Sequence, residues 1–238
     1  MSPDTQNRPT VDTGEMVVVH KVFRREFRLM PALVQSVAPG DTTRAARVGD
    51  HLLGLVGALH AHHTGEDELL WPLLQERAVL QRALVDRMER QHANVGLLLA
   101  ELTDLHRRWV AAADADVRDA LADVAARLSS GLDEHLRDEE DLLLPLVAVH
   151  VTQAEWNALG ERGRAHLPKG RLAMVFLGAI LEDATPQERR DFLAHLPLAA
   201  RLVWRLVGHR VWAREVADLR GPTAPGSRAP GRPAGPSA

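Results

Sequence analysis

Two stretches of this chain, HHTGEDELLWPLL from His62 to Leu74 and HLRDEEDLLLPLV from His135 to Val147, repeat one spacing. Each opens on a histidine, places a glutamate four residues on and a further acid after it, and reaches a proline ten residues after the histidine. On an α-helix, residues four apart lie one turn above each other on the same face, so His62 with Glu66 and His135 with Glu139 each present an imidazole and a carboxylate together. Both pairs sit inside apolar stripes of helical period: Leu55, Leu59, His62, Glu66, Leu70, Leu73 in one case, and Leu121, Val124, Leu128, Leu132, His135, Glu139, Leu143, Leu146 in the other. The polar pairs therefore point at the core. An unpaired carboxylate in an apolar core is very costly, and a buried imidazole needs partners for its nitrogens. Two such pairs converging in one core repel each other unless positive charge lies between them, and a pair of metal ions meets both demands.

The other apolar stripes supply more donors of the same kind. His20 interrupts Met16, Val17, Phe23, Phe27, and His92 interrupts Val85, Met88, Val95, Leu99. Four histidines and two glutamates, with no sulfur among them, suit iron or manganese, with zinc less favoured. Two facing carboxylates can each bridge a pair of ions while the histidines divide two and two. The full candidate ligand set is His20, His62, Glu66, His92, His135 and Glu139.

Around these motifs the chain reads as helix almost throughout. Four long helices are expected at about 14–37, 43–77, 80–110 and 114–149, the first break falling at Pro39-Gly40 with Asp41 or Thr42 as the next cap, and the third with Asp114 or Asp116 as cap. Such lengths, about 40–50 Å with short connections, predict an all-α, up-down-up-down four-helix bundle over residues 14–150. Beyond 150, two capping boxes, Thr152 with Glu155 and Thr185 with Glu188, and several Gly and Pro predict shorter helices at about 153–162, 169–182, 186–194 and 198–218. This C-terminal helical extension, residues 151–220, is expected to pack on the bundle. It also offers a surface for a homodimer or a protein partner. Its last helix carries Arg201, Arg205, Arg210 and Arg214 on what is expected to be a solvated basic face. Residues 1–13 and the Pro/Gly-rich 221–238 are expected to be disordered.

The order His20, His62xxxGlu66, His92, His135xxxGlu139, with EDELLWP and EEDLLLP completing the pairs, resembles the hemerythrin-like family of non-haem di-iron four-helix bundles over about residues 16–149. The resemblance implies that Glu66 and Glu139 bridge two irons, with His20 and His62 serving one and His92 and His135 the other. Oxygen-carrying members have a further histidine one turn after the position of His92, and here that place is Gly96. The resemblance is therefore closer to the bacterial six-ligand members, and it implies more open positions on the irons, which favours chemistry on a small oxidant: hydrogen peroxide first, O2 or nitric oxide as competitors. A non-catalytic O2 or iron carrier or sensor is the rival expectation.

Composition removes several alternatives. There is no cysteine, which excludes disulfides, thiolate metal sites and cysteine nucleophiles, and no tyrosine, which excludes a tyrosyl radical or Tyr ligand. A net charge of -3 shows no bias towards nucleic acid, and the longest apolar run, Leu172 to Leu181, is too short to span a bilayer. With no leader-like N-terminus, a cytoplasmic location is expected. A ferritin-type site needs two Glu-x-x-His motifs, and only Glu89 to His92 is present. His63, about 100° round the helix from His62, is expected on a flank, with a lesser role as a seventh ligand or proton relay; no other side chain stands out as a general acid or base. His51, His60 and His106 are expected on outer faces, and Asp67, Glu140 and Asp141 as solvated groups or as carboxylates orienting the ligating histidines.

Overall fold

The computed structural model describes residues 10–165 and 170–221. Residues 1–9 and 222–238, where most of the expected tails fall, lie outside that description. The chain divides into two compact units, residues 1–167 and 168–238.

The first unit is built on four long helices, α1 (Gly14–Gln35), α2 (Thr42–Leu69), α4 (Arg82–Ala112) and α5 (Ala115–Asp138). α1 packs on α5, α5 on α4, α4 on α2 and α2 on α1, which closes the ring of a four-helix bundle. The capping chemistry is as expected: Asp41 accepts from the Arg44 N–H at 2.9 Å and Asp114 from the Val117 N–H at 3.0 Å. Ala113, the last residue before that cap, turns the chain in the left-handed region at φ 48°. Val11, within the stretch expected to be disordered, is buried, and its N–H donates to the Ala148 carbonyl.

The two helices carrying the repeated motif are shorter than expected, and proline is the cause. Expected as one helix over 43–77, the second is interrupted at Leu70 and resumes as α3 (Trp71–Arg77), with Pro72 in its first turn. The fourth continues past α5 through one wide π turn (Glu139–Leu143) and then α6 (Leu144–His150), with Pro145 in the first turn of α6. A proline has no N–H to give to the carbonyl four residues back and its ring crowds that carbonyl, so the helix must loosen just upstream of it. One consequence is a change of phase: past Leu70 the buried residue is Leu74, and Leu73 is half-buried.

α7 (Gln153–Ala165) belongs to the first unit and packs on α2, with Arg162 bonded to Glu68 and the Leu159 side chain against Gly65. Its N-terminus has the expected capping box, Thr152 N–H to Glu155 and Glu155 N–H back to Thr152 Oγ1. The second unit contains α8 (Arg171–Glu182), α9 (Pro186–Ala194), α10 (Leu198–Val203), a second π turn (Trp204–Gly208) and α11 (His209–Arg220). Gly178 of α8 admits the Trp212 ring of α11, Arg171 bonds the buried Glu215, and the box of Thr185 with Glu188 caps α9. Arg205, Arg210 and Arg214 are exposed as expected, but so are Leu198, Leu202, Val203, Leu206 and Val207, which form an apolar row the basic-face expectation did not include.

The bundle core is in two parts. One contains Phe23, Phe27, Leu59, Val95, Leu132 and Leu136, the other Met16, Leu70, Trp71, Met88, Leu143 and Leu144. On every bundle helix the residues between the two parts are the polar ones: His20, the His62 to Glu66 stretch, His92, and His135 with Glu139. His106 is a correction to the expected outer-face placement. It is buried, because Gly49 on α2 leaves room for its ring. A Cβ at 49 would lie 2.6 Å from His106 Nε2 and 2.8 Å from Val110 Cγ1, whereas one at Gly54 meets nothing within 4 Å. Gly49→Val is therefore expected to destabilise the bundle by about 1–3 kcal/mol through overpacking. Gly54→Ala is expected to stabilise it by up to about 1 kcal/mol through helix propensity, both read by chemical denaturation.

Candidate metal centre

All six candidate ligands come together at the level where the core is split. His20, Glu66, His135 and Glu139 have no measurable exposure and His92 is buried; His62 keeps 12% of its side chain exposed. His20 Nε2 is 3.2 Å from His62 Nε2, and His92 Nε2 is 3.1 Å from His135 Nε2. Glu66 lies across the two histidine pairs, with Oε1 3.2 Å from His62 Nε2 and Oε2 3.4 Å from His92 Nε2. Glu139 does the same with one oxygen, Oε2 being 3.5 Å from His20 Nε2 and 3.7 Å from His135 Nε2.

The protonation of three of the four histidines is fixed from outside the cluster. His20 Nδ1 lies 2.9 Å from Glu140 Oε1 and His92 Nδ1 lies 2.7 Å from Asp67 Oδ1. A carboxylate only accepts, so each Nδ1 carries the proton and each Nε2 is left with its lone pair. Partial burial works against ionisation of Glu140, but bonds from His20 and Arg24 outweigh it and hold its carboxyl below the usual range. Trp71 Nε1 is 3.4 Å from His92 Nδ1, too long to compete with Asp67. His135 Nδ1 is 3.3 Å from Gln91 Oε1, and Gln91 is oriented by giving its amide N–H to Asp138 Oδ2 at 2.7 Å, which Arg87 also bonds. The expectation for Asp67 and Glu140 as orienting carboxylates agrees with these contacts; Asp141 is exposed. Gln91 and Asp138 were not anticipated, although Gln91 adjoins His92 and Asp138 adjoins Glu139 in the sequence. The π turn lets Glu139 face inward while Glu140, one residue on, still reaches His20.

The centre is thus a convergence of acceptors. Both oxygens of Glu66 and both of Glu139 are buried without a hydrogen-bond donor. This is not how the bundle treats a buried carboxylate elsewhere. Glu26 on α1 is equally buried, yet Oε1 accepts from Arg25 Nε at 2.9 Å and Oε2 faces His51 Nε2 at 3.0 Å. His51, expected on an outer face, is instead a largely buried partner of that carboxylate. Burial, helped by Glu139 and Asp67, pushes the Glu66 carboxyl well above the usual carboxylate range; burial also raises Glu139, against the opposing pull of His20 and His92. Burial and the neighbouring imidazoles hold His62 and His63 well below 6.5 and His135 down to about 2. A cation is the partner that satisfies neutral imidazoles and carboxylates at once. Two overlapping groups could hold one: His20, His62, Glu66, Glu139, and His63, Glu66, His92, His135, the ligand atoms of each lying within 4.8 Å of one another.

A profile of the hemerythrin HHE cation binding domain matches residues 12–147. The chain belongs to that family. No curated protein and no solved structure matches it. The matched span takes in every residue of the centre, and membership makes this hemerythrin-type bundle a cation-binding one. Among the described residues, no helix is long and apolar enough to cross a membrane.

Two positions bear on the resemblance to oxygen carriers. Gly96 is exposed on α4, with nothing within 4 Å of where its Cβ would be. His63, expected on a flank, is buried in the cluster; α2 tilts its ring between α4 and α5.

The shifted groups set a stability profile for the chelator-treated chain. Glu66 has its folded-state value raised, so its contribution to stability is present at low pH and lost as pH rises through that value. Glu66→Gln removes this loss. The variant is expected to gain on the metal-free wild type as pH goes from 5 to 8, by up to about 1.4 kcal/mol per pH unit between the ordinary carboxylate range and the raised folded-state value, and by nothing further above it. The imidazoles act in the opposite direction: their folded values are lowered, so both proteins lose stability as pH falls below 6.5, where the unfolded chain takes up protons that the buried rings refuse. Denaturation curves at several pH values check both limbs, and a Glu66→Gln gap that does not change with pH contradicts the first.

Proposed function

We propose that the chain is a di-iron protein of the bacterial six-ligand type that binds a small oxidant and turns it over in oxidative or nitrosative stress defence. Hydrogen peroxide is the first candidate, with O2 and nitric oxide as competitors, and the setting is cytoplasmic. The observation that carries this reading is the set of buried acceptors without donors, above all Glu66, with one oxygen towards His62 and the other towards His92. In this reading His20 and His62 would hold one iron and His92 and His135 the other, with Glu66 and Glu139 shared between them. Nitrogen and oxygen donors without sulfur favour iron, with manganese next and zinc less suited.

When bound, the metal pair supplies Lewis acidity and two-electron storage. The chain's own part is positioning and exclusion. Glu140, Asp67 and Gln91 keep the Nδ1 protons of His20, His92 and His135 outside the cluster, so that Nε2 stays basic and fixed in direction. Phe23, Leu59 and Val95 on one side, and Leu70, Trp71 and Met88 on the other, keep bulk water away. His62 alone of the six is appreciably exposed, which marks its side of the cluster as the way in for a diatomic molecule or peroxide.

A second reading, a carrier or sensor of O2 or iron, draws support from the exposed apolar row Leu198, Leu202 and Leu206, which suits contact with a partner or a second copy. Oxygen evolution after addition of peroxide to the iron-loaded protein separates the two. Turnover well beyond the number of iron equivalents, lost at least a hundredfold in Glu66→Ala and in Glu139→Ala, is the expected outcome. A stable oxygenated spectrum with no turnover supports the carrier.

A further inference from the structure

We propose that the outward face of the last helical stretch, from Leu198 to Arg214, is a docking surface for a membrane whose phospholipids carry negative charge. The proposal concerns the second unit alone and does not depend on the metal centre.

The stretch has two faces, and the inner one is filled. Trp212 of α11 occupies the space that Gly178 leaves on α8, where a Cβ would lie 2.3 Å from Trp212 Cγ. The Trp204 ring lies over Gly208, where a Cβ would lie 2.3 Å from Trp204 Cε3. Trp212, Val216 and Leu219 are buried, as are Leu177 and Ile180 of α8, on which α11 packs. The other face has no place in that core. Leu198, Leu202 and Leu206 are 76%, 57% and 58% exposed, and Val203 and Val207 are exposed beside them. Residues four apart share one side of a helix, so the three leucines form one row and the two valines an adjoining one. At the same spacing the leucine row continues into Arg210 and Arg214, both exposed.

Charge decides what covers this face. From Phe192 to Arg214 the sequence has four arginines, Arg201, Arg205, Arg210 and Arg214, and no acid, in a chain whose net charge is -3. The arginines that tie the helices of the second unit together are paired, Arg171 with Glu215 at 2.6 Å and Arg220 with Glu182 at 3.0 Å. Those along the row are not. Among the described residues no carboxylate bonds Arg201, Arg205 or Arg214, and Arg210 gives its Nη1 to the Leu206 carbonyl of its own helix. A second copy would bring the same arginines and no acid to meet them, so the face does not complement itself. The interface of an anionic bilayer meets both needs. Its acyl chains take the leucines and valines without requiring a matching shape, and its phosphates take the guanidinium groups, whose long stems keep the charge at headgroup level while the row sinks in. Because the row occupies one side of its helix, the helix lies along the surface.

The test is flotation of the full-length protein with vesicles of phosphatidylcholine alone and of phosphatidylcholine mixed with phosphatidylglycerol, at low and high salt. Wild type is expected to float with the anionic vesicles and not with the neutral ones, and to be released as salt screens the arginines. The double variant Leu202→Gln/Leu206→Gln is expected to lose about tenfold in binding to the anionic vesicles with no change in thermal midpoint, both positions being exposed. Arg205→Gln and Arg214→Gln are each expected to lose roughly fivefold. Wild type that floats with neither vesicle overturns the proposal, as does binding that the leucine variant leaves unchanged. A wild-type dimer in sedimentation equilibrium that the leucine variant dissociates, with no flotation, assigns the face to a second copy and overturns it too. So does leucine-dependent binding of polyglutamate in place of vesicles, which assigns the face to an acidic protein. Should the leucine variant fail to fold, the contrast between anionic and neutral vesicles in wild type decides.

Discussion

Six side chains meet in the middle of the bundle with mostly lone pairs and negative charge to offer one another, and the rest of the first unit is organised around that conflict. Four Nε2 atoms and four carboxylate oxygens are packed into a few ångströms, and the protein provides no donor to the oxygens. Without a cation the centre can relax only by holding protons it would not hold in water, which is the direction in which Glu66 and Glu139 are pushed. With a cation, each group is satisfied in its ordinary basic form. The comparison with Glu26, equally buried and fully bonded, makes this a property of the centre and not of buried acids in this core. Metal binding and folding are accordingly coupled here through protons as well as through ligation.

The fold serves this centre by surrounding it with a rigid frame. The apolar core above and below fixes the axial position of each helix, so that His20, His62, His92 and His135 arrive at one level. Outer hydrogen bonds then set the rotation of the rings. Pro72 and Pro145 loosen the helices immediately after each His-Glu pair, and at Glu139 the resulting π turn gives two consecutive acids different tasks, one towards the cluster and one towards His20 and Arg24. Local helical regularity is given up where the site needs it, as is common at functional positions.

The inward convergence of the six candidate residues and the bundle were legible because both depend on periodicity: a polar residue in an apolar stripe of period 3.6 has one physical direction to point. Caps at Asp41, Asp114, Thr152 and Thr185 were legible because they are local chemistry. What escaped depends on neighbours from other helices. His106 is buried because Gly49 faces it from α2, and His51 because Glu26 faces it from α1; neither partner is visible along the chain. His63 is a boundary case: a single helix wheel puts it on the flank, but in a ring of four helices that flank faces α4 and α5. The π turn was also missed, although Pro145 after two acids carried the signal.

The claim on which the account depends is that this cluster of acceptors holds a pair of ions. Anaerobic titration of the metal-free protein with ferrous iron, following bound metal and released protons together, tests it most directly. Saturation at two irons per chain is expected, with net proton release because Glu66 and Glu139 must ionise to bind. Saturation at one ion, no binding, or uptake of iron without release of protons would contradict it.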